Sequence, residues 1–438
     1  MFWKFLRFLF LSYIKFYFRK SKGKNLEVIK TDAPVLIALN HPNAFIDSIA
    51  FSCILYNPRT YYMARGDAFK NGFISYVLTS TGIIPIFRLR DGGIEGVKKN
   101  NESFSIAYKM WNRGKKIIVF PEGLCIQERR LRPIQKGTAR MAFGFSEEMK
   151  RDDFLIIPVS VTYSHPSKFG SDIFYEVGKP IQVKNYLNLY QTSPAKAVND
   201  LTRDLESELK KITPHLNNKD GDILLEQLQE IYKYQYLEEN NKNTNDLEMH
   251  QQFWFFITEK LNVIYENSPE LFQQLKIKSA TYFNLLQQTK IHDKSIYSHI
   301  KNKPASAAFS VIVLVAGFPI YALAKTLHFL PKFLAEFIAN KTCKNIEFYA
   351  SVNFVTGAFF SLFYLMFEFC ALWLIFHLWW LLPLYLVTKI ILSKIALLYS
   401  RNVSYLISDL KLLNIKSFHK NKFDQLINLR NNVIEIIK

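Results

Sequence analysis

The sequence predicts an α/β domain with a mostly parallel sheet flanked by helices, followed by a helical region and C-terminal transmembrane helices. Short apolar, β-branched runs recur at residues 35–39, 61–64, 83–87, 117–120, 155–161 and 173–177, with helical patterns at 101–112 and 139–149 between them. Alternation of that kind belongs to parallel sheets covered by helices. From about residue 190 the pattern turns helical and polar, and beyond residue 303 long uncharged tracts reach the length a bilayer requires.

At helical spacing the opening residues 1–20 place Lys4, Arg7, Ser12, Lys15 and Arg19 on one face, with Phe and Leu filling the rest. The apolar stretch between Arg7 and Lys15 is too short to span a membrane, and no small-residue cleavage site follows. We therefore expect residues 1–22 to lie in the membrane interface, cations towards the head groups. A core helix with snorkelling lysines is the alternative. Residues 23–188 hold the strand and helix alternation. Residues 189–302 read as a helical accessory region, in which Ser193 and Pro194 start a helix that continues to Ile212. Polar stretches at 217–221 and 240–245 read as breaks between helices.

Residues 303–400 are expected to hold two or three membrane helices, and residues 401–438 a basic tail. The run at 304–324 is uncharged, and those at 348–367 and 369–388 are separated only by Glu368. A carboxylate at that depth needs a turn or a partner. A turn at Glu368 gives three spans, whereas a continuous helix ending at Trp379 and Trp380 gives two. Cations flank every run, so their distribution does not orient the chain.

The charge balance, 56 Lys and Arg against 37 Asp and Glu, favours an anionic partner. An aromatic content of 15% and the long apolar tracts point to lipid, with no nucleic-acid module in the sequence. Cys53, Cys125, Cys343 and Cys370 have no metal-ligand spacing and form no cluster, which fits a reducing compartment, and no metal site is expected.

The chemistry concentrates in PVLIALNHPNAFID at 34–47. A buried strand delivers Asn40 and His41 to its C-terminal end, Pro42 and Asn43 turn the chain, and Asp47 opens an apolar helical segment. A histidine base with an acid beside it at a strand end suits activation of a hydroxyl. Three further blocks follow in order. Residues 82–88 read as a strand ending in Arg88, and 117–123 as a strand ending in Glu122 and Gly123, trailed by Lys136 and Arg140. The fourth, 156–159, carries Pro158 near its middle.

These blocks, over roughly residues 30–185, resemble those of the glycerolipid acyltransferases, the family of lysophosphatidic acid and glycerol-3-phosphate acyltransferases. The resemblance implies that His41 and Asp47 are catalytic and that Arg88, Glu122 and Gly123 bind the glycerol phosphate. Lys136 and Arg140 match the family's trailing Lys-Gly-x-x-Arg pattern, and Pro158 is structural or acyl-related. Two features depart from the usual pattern. Five residues, not four, separate His41 from Asp47, a spacing that some glycerol-3-phosphate and bacterial members share. On one continuous helix these two would point about 240° apart, so His41 must precede the helix. Leu124 and Cys125 stand where many members carry Thr-Arg or Ser-Arg, with Arg129, Arg130 and Arg132 as nearby substitute cations. Cys125 reads as a small apolar filler.

In the reaction so implied, His41 takes the hydroxyl proton while Asp47 fixes its tautomer. Because a thiolate leaves readily, no enzyme nucleophile and no cofactor are expected, with acyl-CoA or acyl carrier protein as donor. Backbone N–H groups at the helix start or near Gly123 are candidate oxyanion donors. Glu122 is read as holding a substrate hydroxyl or a cation. The expected function is acylation of 1-acyl-glycerol-3-phosphate to phosphatidic acid, at a membrane phospholipid surface and on its cytoplasmic face. Glycerol-3-phosphate is the alternative acceptor, and a catalytically inactive lipid-binding membrane protein is the rival class. A transporter is disfavoured because the sequence shows no repeats and no paired intramembrane charges.

Overall fold

The computed structural model describes residues 2–55, 60–69, 71–87, 100–301 and 307–438. It divides into two compact units, Met1–His215 with Ala339–Val355, and Leu216–Ile338 with Thr356–Lys438.

The first unit opens with helix α1 (Phe2–Tyr17), strands β1 (Lys20–Lys24) and β2 (Val35–Leu39), helix α2 (Ala44–Ile54) and strand β3 (Tyr61–Arg65). Helix α3 (Gly72–Ser80), β4 (Ile83–Ile86), α4 (Asn100–Asn112), β5 (Lys116–Val119) and α5 (Gly137–Met149) follow. Strands β6 (Leu155–Tyr163), β7 (Asp172–Val177) and β8 (Ile181–Gln182) come next, then helices α6 (Lys184–Thr192) and α7 (Pro194–Ile212). The sheet runs β1-β7-β6-β2-β5-β3-β4, with β8 also paired to β6. Strands β6, β2, β5, β3 and β4 are mutually parallel, while β7 and β8 pair antiparallel to β6.

Strand β2 shows why the sheet carries helices on both faces. Val35, Ile37 and Leu39 enter one apolar core with Ile14 and Tyr17 of α1 and Phe51 of α2. Leu36 and Ala38 enter another with Trp111 of α4, Phe143 of α5 and Leu201 of α7. A strand buried on both faces reads as a continuous apolar run, the signal at 35–39. Pro158 sits inside β6, where a missing N–H needs an excuse. The excuse is the break between β7 and β8: Gly178 bridges it, donating its N–H to the Pro158 carbonyl at 2.9 Å. A Cβ on Gly178 would meet Pro158 Cγ at 3.0 Å, so glycine permits the close approach.

Three findings revise the expected organisation. Strand β1, KSKGK, carries no apolar pattern, because it lies at the sheet edge, where lysines are tolerated and discourage further pairing. Helix α1 turns Leu6, Leu9, Ile14 and Tyr17 inward while Lys4, Phe5, Phe8 and Lys15 stay exposed, so one apolar face is spent on the domain itself. Arg19, past the end of α1, pairs with Asp172 at the start of β7. Helix α7 buries Ala197, Leu201, Leu205, Leu209 and Ile212 against the sheet's core, so the domain extends to His215 and not to residue 188.

In the second unit, α8 (Asp222–Glu239), α9 (Leu247–Asn267), α10 (Pro269–Thr289) and α11 (Asp293–Ile300) surround an apolar core. Helix α15 (Lys420–Ile437) contributes Phe423, Leu426, Val433 and Ile437 to that core, so residues 401–438 include a packed helix where a tail was expected. Its Arg430 is 2% exposed and donates to Asp293 at 2.8 Å.

Three helices are long and apolar enough to cross a membrane: residues Leu314–Thr342 within α12 (Ala307–Thr342), α13 (Ile346–Phe376) and α14 (Leu381–Phe418). Glu368 lies inside α13, and the chain turns instead at 377–380, which includes Trp379 and Trp380. Its largely covered carboxylate forms an ion pair with Lys389 of α14. The expectation of no paired intramembrane charge is therefore corrected, and three helices result without a turn at Glu368.

Candidate active site

Strand β2 ends at Leu39, and the next two residues leave the sheet at its carboxyl edge. Asn40 fixes the exit, its side-chain amide donating to the Val161 carbonyl at 3.2 Å while its oxygen accepts the Val161 N–H at 2.6 Å. His41 follows in non-helical backbone and α2 starts at Ala44, as the spacing required. His41 Nδ1 lies 3.0 Å from Asp47 Oδ2. The imidazole stacks on Phe120, ring centroids 3.6 Å apart, and its side chain is 15% exposed. Among the described residues no hydrogen bond reaches Nε2.

Asp47 is fully buried in the first turn of α2, where the helix dipole favours a carboxylate. Its Oδ2 also accepts the Asn43 N–H at 2.8 Å, and Oδ1 accepts the Tyr163 hydroxyl at 2.5 Å. Burial, then the charge of Asp47, push the Tyr163 phenol far above its usual range, so it remains a donor. Tyr175 adds a bond from its hydroxyl to the Asp47 carbonyl at 3.2 Å. Tyr163 escaped sequence reasoning, which ended the strand at 161. The signal was present: Ile157, Val159, Val161 and Tyr163 alternate along β6 into one core.

Glu122 follows β5 and is 7% exposed. One carboxylate oxygen accepts the His41 N–H at 2.9 Å and the other the Arg132 N–H at 3.0 Å. Burial raises its pKa against the pull of those two donors. As placed, Glu122 is a strut that fixes the histidine's backbone. Gly123 beside it has φ +66°, a left-handed conformation, and a Cβ there would press on Gln135 Cγ at 3.2 Å.

The basic residues divide. Arg129 donates to the Tyr163 and Ser164 carbonyls at 2.7 and 3.2 Å, and Arg130 and Arg132 both pair with Glu128, at 2.6 and 3.0 Å. Arg129 thus ties its loop to the end of β6, while Arg130 and Arg132 are tied to Glu128 within it. Lys136 and Arg140 are exposed at the start of α5. Lys136 lines a groove of about 620 Å³ with Thr202, Arg203, Glu206 and Lys210 of α7. That groove includes none of His41, Asp47 or Glu122 in its lining. Arg88 lies outside the described residues.

Cys125 accepts the Ala44 N–H at 2.9 Å, and burial, then the Asp47 charge, raise its thiol pKa. It is a packed acceptor, not a nucleophile. The expected oxyanion donors are partly engaged: the N–H groups of Asn43, Ala44 and Ile46 go to Asp47, Cys125 and Ser351, and that of Gly123 to the Phe120 carbonyl. Among the described residues no cluster of His, Cys, Asp or Glu could hold a metal ion.

Residues 20–162 match the family model described as Acyltransferase. Two Saccharomyces cerevisiae proteins are similar: glycerol-3-phosphate O-acyltransferase 2, 27% identical over 31% of this chain and 18% of its own length, and glycerol-3-phosphate O-acyltransferase 1, 26% identical over 27% and 16%. The aligned part thus spans under a fifth of either curated relative. The crystal structure of the 1-acyl-sn-glycerophosphate acyltransferase PlsC from Thermotoga maritima matches with a TM-score of 0.30 and 16% identity, covering 47% of this chain and 80% of that one.

Proposed function

We propose, from the match of residues 20–162 to the acyltransferase family model, that the chain is a membrane-bound O-acyltransferase acting on a glycerol phosphate. The observation that carries the reading is the contact of His41 Nδ1 with the buried Asp47 carboxylate, at the carboxyl end of a parallel sheet. With Nδ1–H donated to Asp47, Nε2 is the basic nitrogen. It takes the proton of the acceptor hydroxyl as the hydroxyl oxygen attacks the thioester carbonyl. The C–O bond forms, the C–S bond breaks, and the proton passes from His41 to the departing thiolate. Asp47 stabilises the imidazolium in between. Lys136 and Arg140 are available to a phosphate, and Arg88 completes the expected set.

The acceptor we favour is glycerol-3-phosphate, because it is the one in the names of both yeast relatives and agrees with the five-residue spacing between His41 and Asp47. Lysophosphatidic acid is the second reading. The exposed Phe5 and Phe8 of α1 and the three apolar helices support it, since they suit an acceptor dissolved in the bilayer. The donor is acyl-CoA or acyl carrier protein, and the site faces the cytoplasm, where both occur. The deciding experiment is an acceptor screen on purified full-length protein, with released thiol as readout. Turnover with glycerol-3-phosphate and none with lysophosphatidic acid is expected; the reverse pattern replaces the acceptor, and no turnover with either refutes the reading.

A further inference from the structure

We propose that Ser351, near the start of α13, is a positioning residue for the His41–Asp47 pair, acting through the turn from Asn43 to Ile46. The inference rests on the acyltransferase reading above. Ser351 is fully buried, and its Oγ accepts the Ile46 N–H at 2.9 Å while its hydroxyl donates to the Asn43 carbonyl at 2.8 Å. These two bonds straddle Ala44, which has φ +43°. A residue with a Cβ holds that left-handed conformation only where its surroundings over-determine it. Ser351 secures both flanks of the strained residue, and Cys125 holds the Ala44 N–H between them.

The consequence for chemistry follows from adjacency. Asp47 is the next residue after Ile46, and the Asn43 N–H is one of the donors to its carboxylate, beside His41 and Tyr163. If the turn relaxes, the carboxylate moves with respect to the imidazole it orients, and displacements of about 0.5 Å suffice to spoil such a constellation. Ser351 is itself presented on a packed helix. The Tyr17 hydroxyl donates to the Ala350 carbonyl at 3.3 Å, and the Phe354 ring meets those of Tyr17 and Tyr13 at 5.2 and 5.4 Å. A mid-helix serine can satisfy its hydroxyl in solvent or on the carbonyl four residues back; this one spends both donor and acceptor on the turn from Asn43 to Ile46. A serine chosen merely for small size would need neither.

The test uses full-length protein with Ser351→Ala and Ser351→Cys. The thiol can still accept a backbone N–H, as Cys125 does at Ala44. Two readouts are taken: kcat and KM for acyl transfer, and the rate at which diethyl pyrocarbonate modifies His41, resolved by peptide mass spectrometry against the exposed His292 and His419. Ser351→Ala should lower kcat about tenfold with KM within about twofold, the signature of an interaction that matters in the transition state. It should slow modification of His41 at least threefold and leave the two reference histidines unchanged, with Ser351→Cys recovering most of both losses. Unchanged kcat and unchanged His41 reactivity in Ser351→Ala overturn the proposal, as does a kcat loss that tracks a general loss of folded protein. Should the wild-type chain transfer no acyl group, the functional reading fails, and the His41 modification rates still decide this one.

Discussion

Replacing Asp47 by Asn tests how the histidine is held. The carboxylate receives His41 Nδ1 and the Asn43 N–H on Oδ2 and the Tyr163 hydroxyl on Oδ1. With the amide nitrogen at the Oδ2 position, three hydrogen-donating groups converge unless the imidazole surrenders its Nδ1 proton. The proton then moves to Nε2, where it blocks the base. In the flipped orientation the amide oxygen takes both bonds and Tyr163 accepts from the nitrogen, so the geometry survives. What is lost there is the negative charge that stabilises the imidazolium. Either way the expected fall in kcat is about 10²–10⁴-fold, or roughly 2.7–5.4 kcal/mol in the barrier. Stability should change little in the flipped orientation, where every donor keeps an acceptor, and fall by about 1–3 kcal/mol in the other, where the buried Asn43 N–H loses its own. The assay is released thiol on purified protein, with a thermal melt alongside. A kcat within threefold of wild type, the melt unchanged, would refute the proposed role of the pair.

Glu122→Ala leaves the buried N–H groups of His41 and Arg132 without their acceptors, at about 1–3 kcal/mol each, and should lower both the melting temperature and kcat. An unshifted melt would show that water replaces the carboxylate. His215 accepts the Leu131 N–H at 3.0 Å, and burial, then the charges of Lys210 and Arg130, lower its pKa. The unfolded chain therefore binds a proton near pH 6.5 that the folded one resists, and this contribution to stability, full above that pH, is lost progressively as the pH falls from there through the depressed folded-state pKa. Melting temperatures between pH 7 and 5 should fall further for wild type than for His215→Asn; parallel curves would contradict this. In the candidate membrane helices, Glu368→Leu alone should destabilise the protein in detergent by about 3–5 kcal/mol by stranding the Lys389 charge, with Glu368→Leu/Lys389→Leu recovering much of it. A double variant no better than the single one would mean the pair is solvated.

The parts of this fold legible in the sequence are those buried on both faces. Strands β2, β5 and β6 announce themselves as apolar β-branched runs because two helix layers cover them. The edge strand β1 has no such cover on its outer side and is built of lysine, serine and glycine, so nothing apolar marks it. Helix α7 was legible as a helix but not as part of the domain. Its Leu201, Leu205 and Leu209 stripe packs on the sheet, and an amphipathic stripe does not say what it faces. At the site, His41 and Asp47 were legible as a base with an acid beside it at a strand end, and Glu122 through the resemblance of its block to the glycerolipid acyltransferases. Ser351 was not: it lies 305 positions from the Ile46 N–H it binds, and a serine in an apolar helix carries no signal of a distant turn. Glu122 shows a different limit, since residue type suggested a substrate contact and only the geometry revealed the two backbone N–H groups it serves.

The most direct measurement of the central claim is acyl transfer by purified full-length His41→Ala, scored beside its binding to phospholipid vesicles. Loss of turnover by about 10²–10⁴-fold with vesicle binding within twofold of wild type is the predicted result. Turnover within threefold of wild type would show that this imidazole does not take the proton, and the account would fail with it.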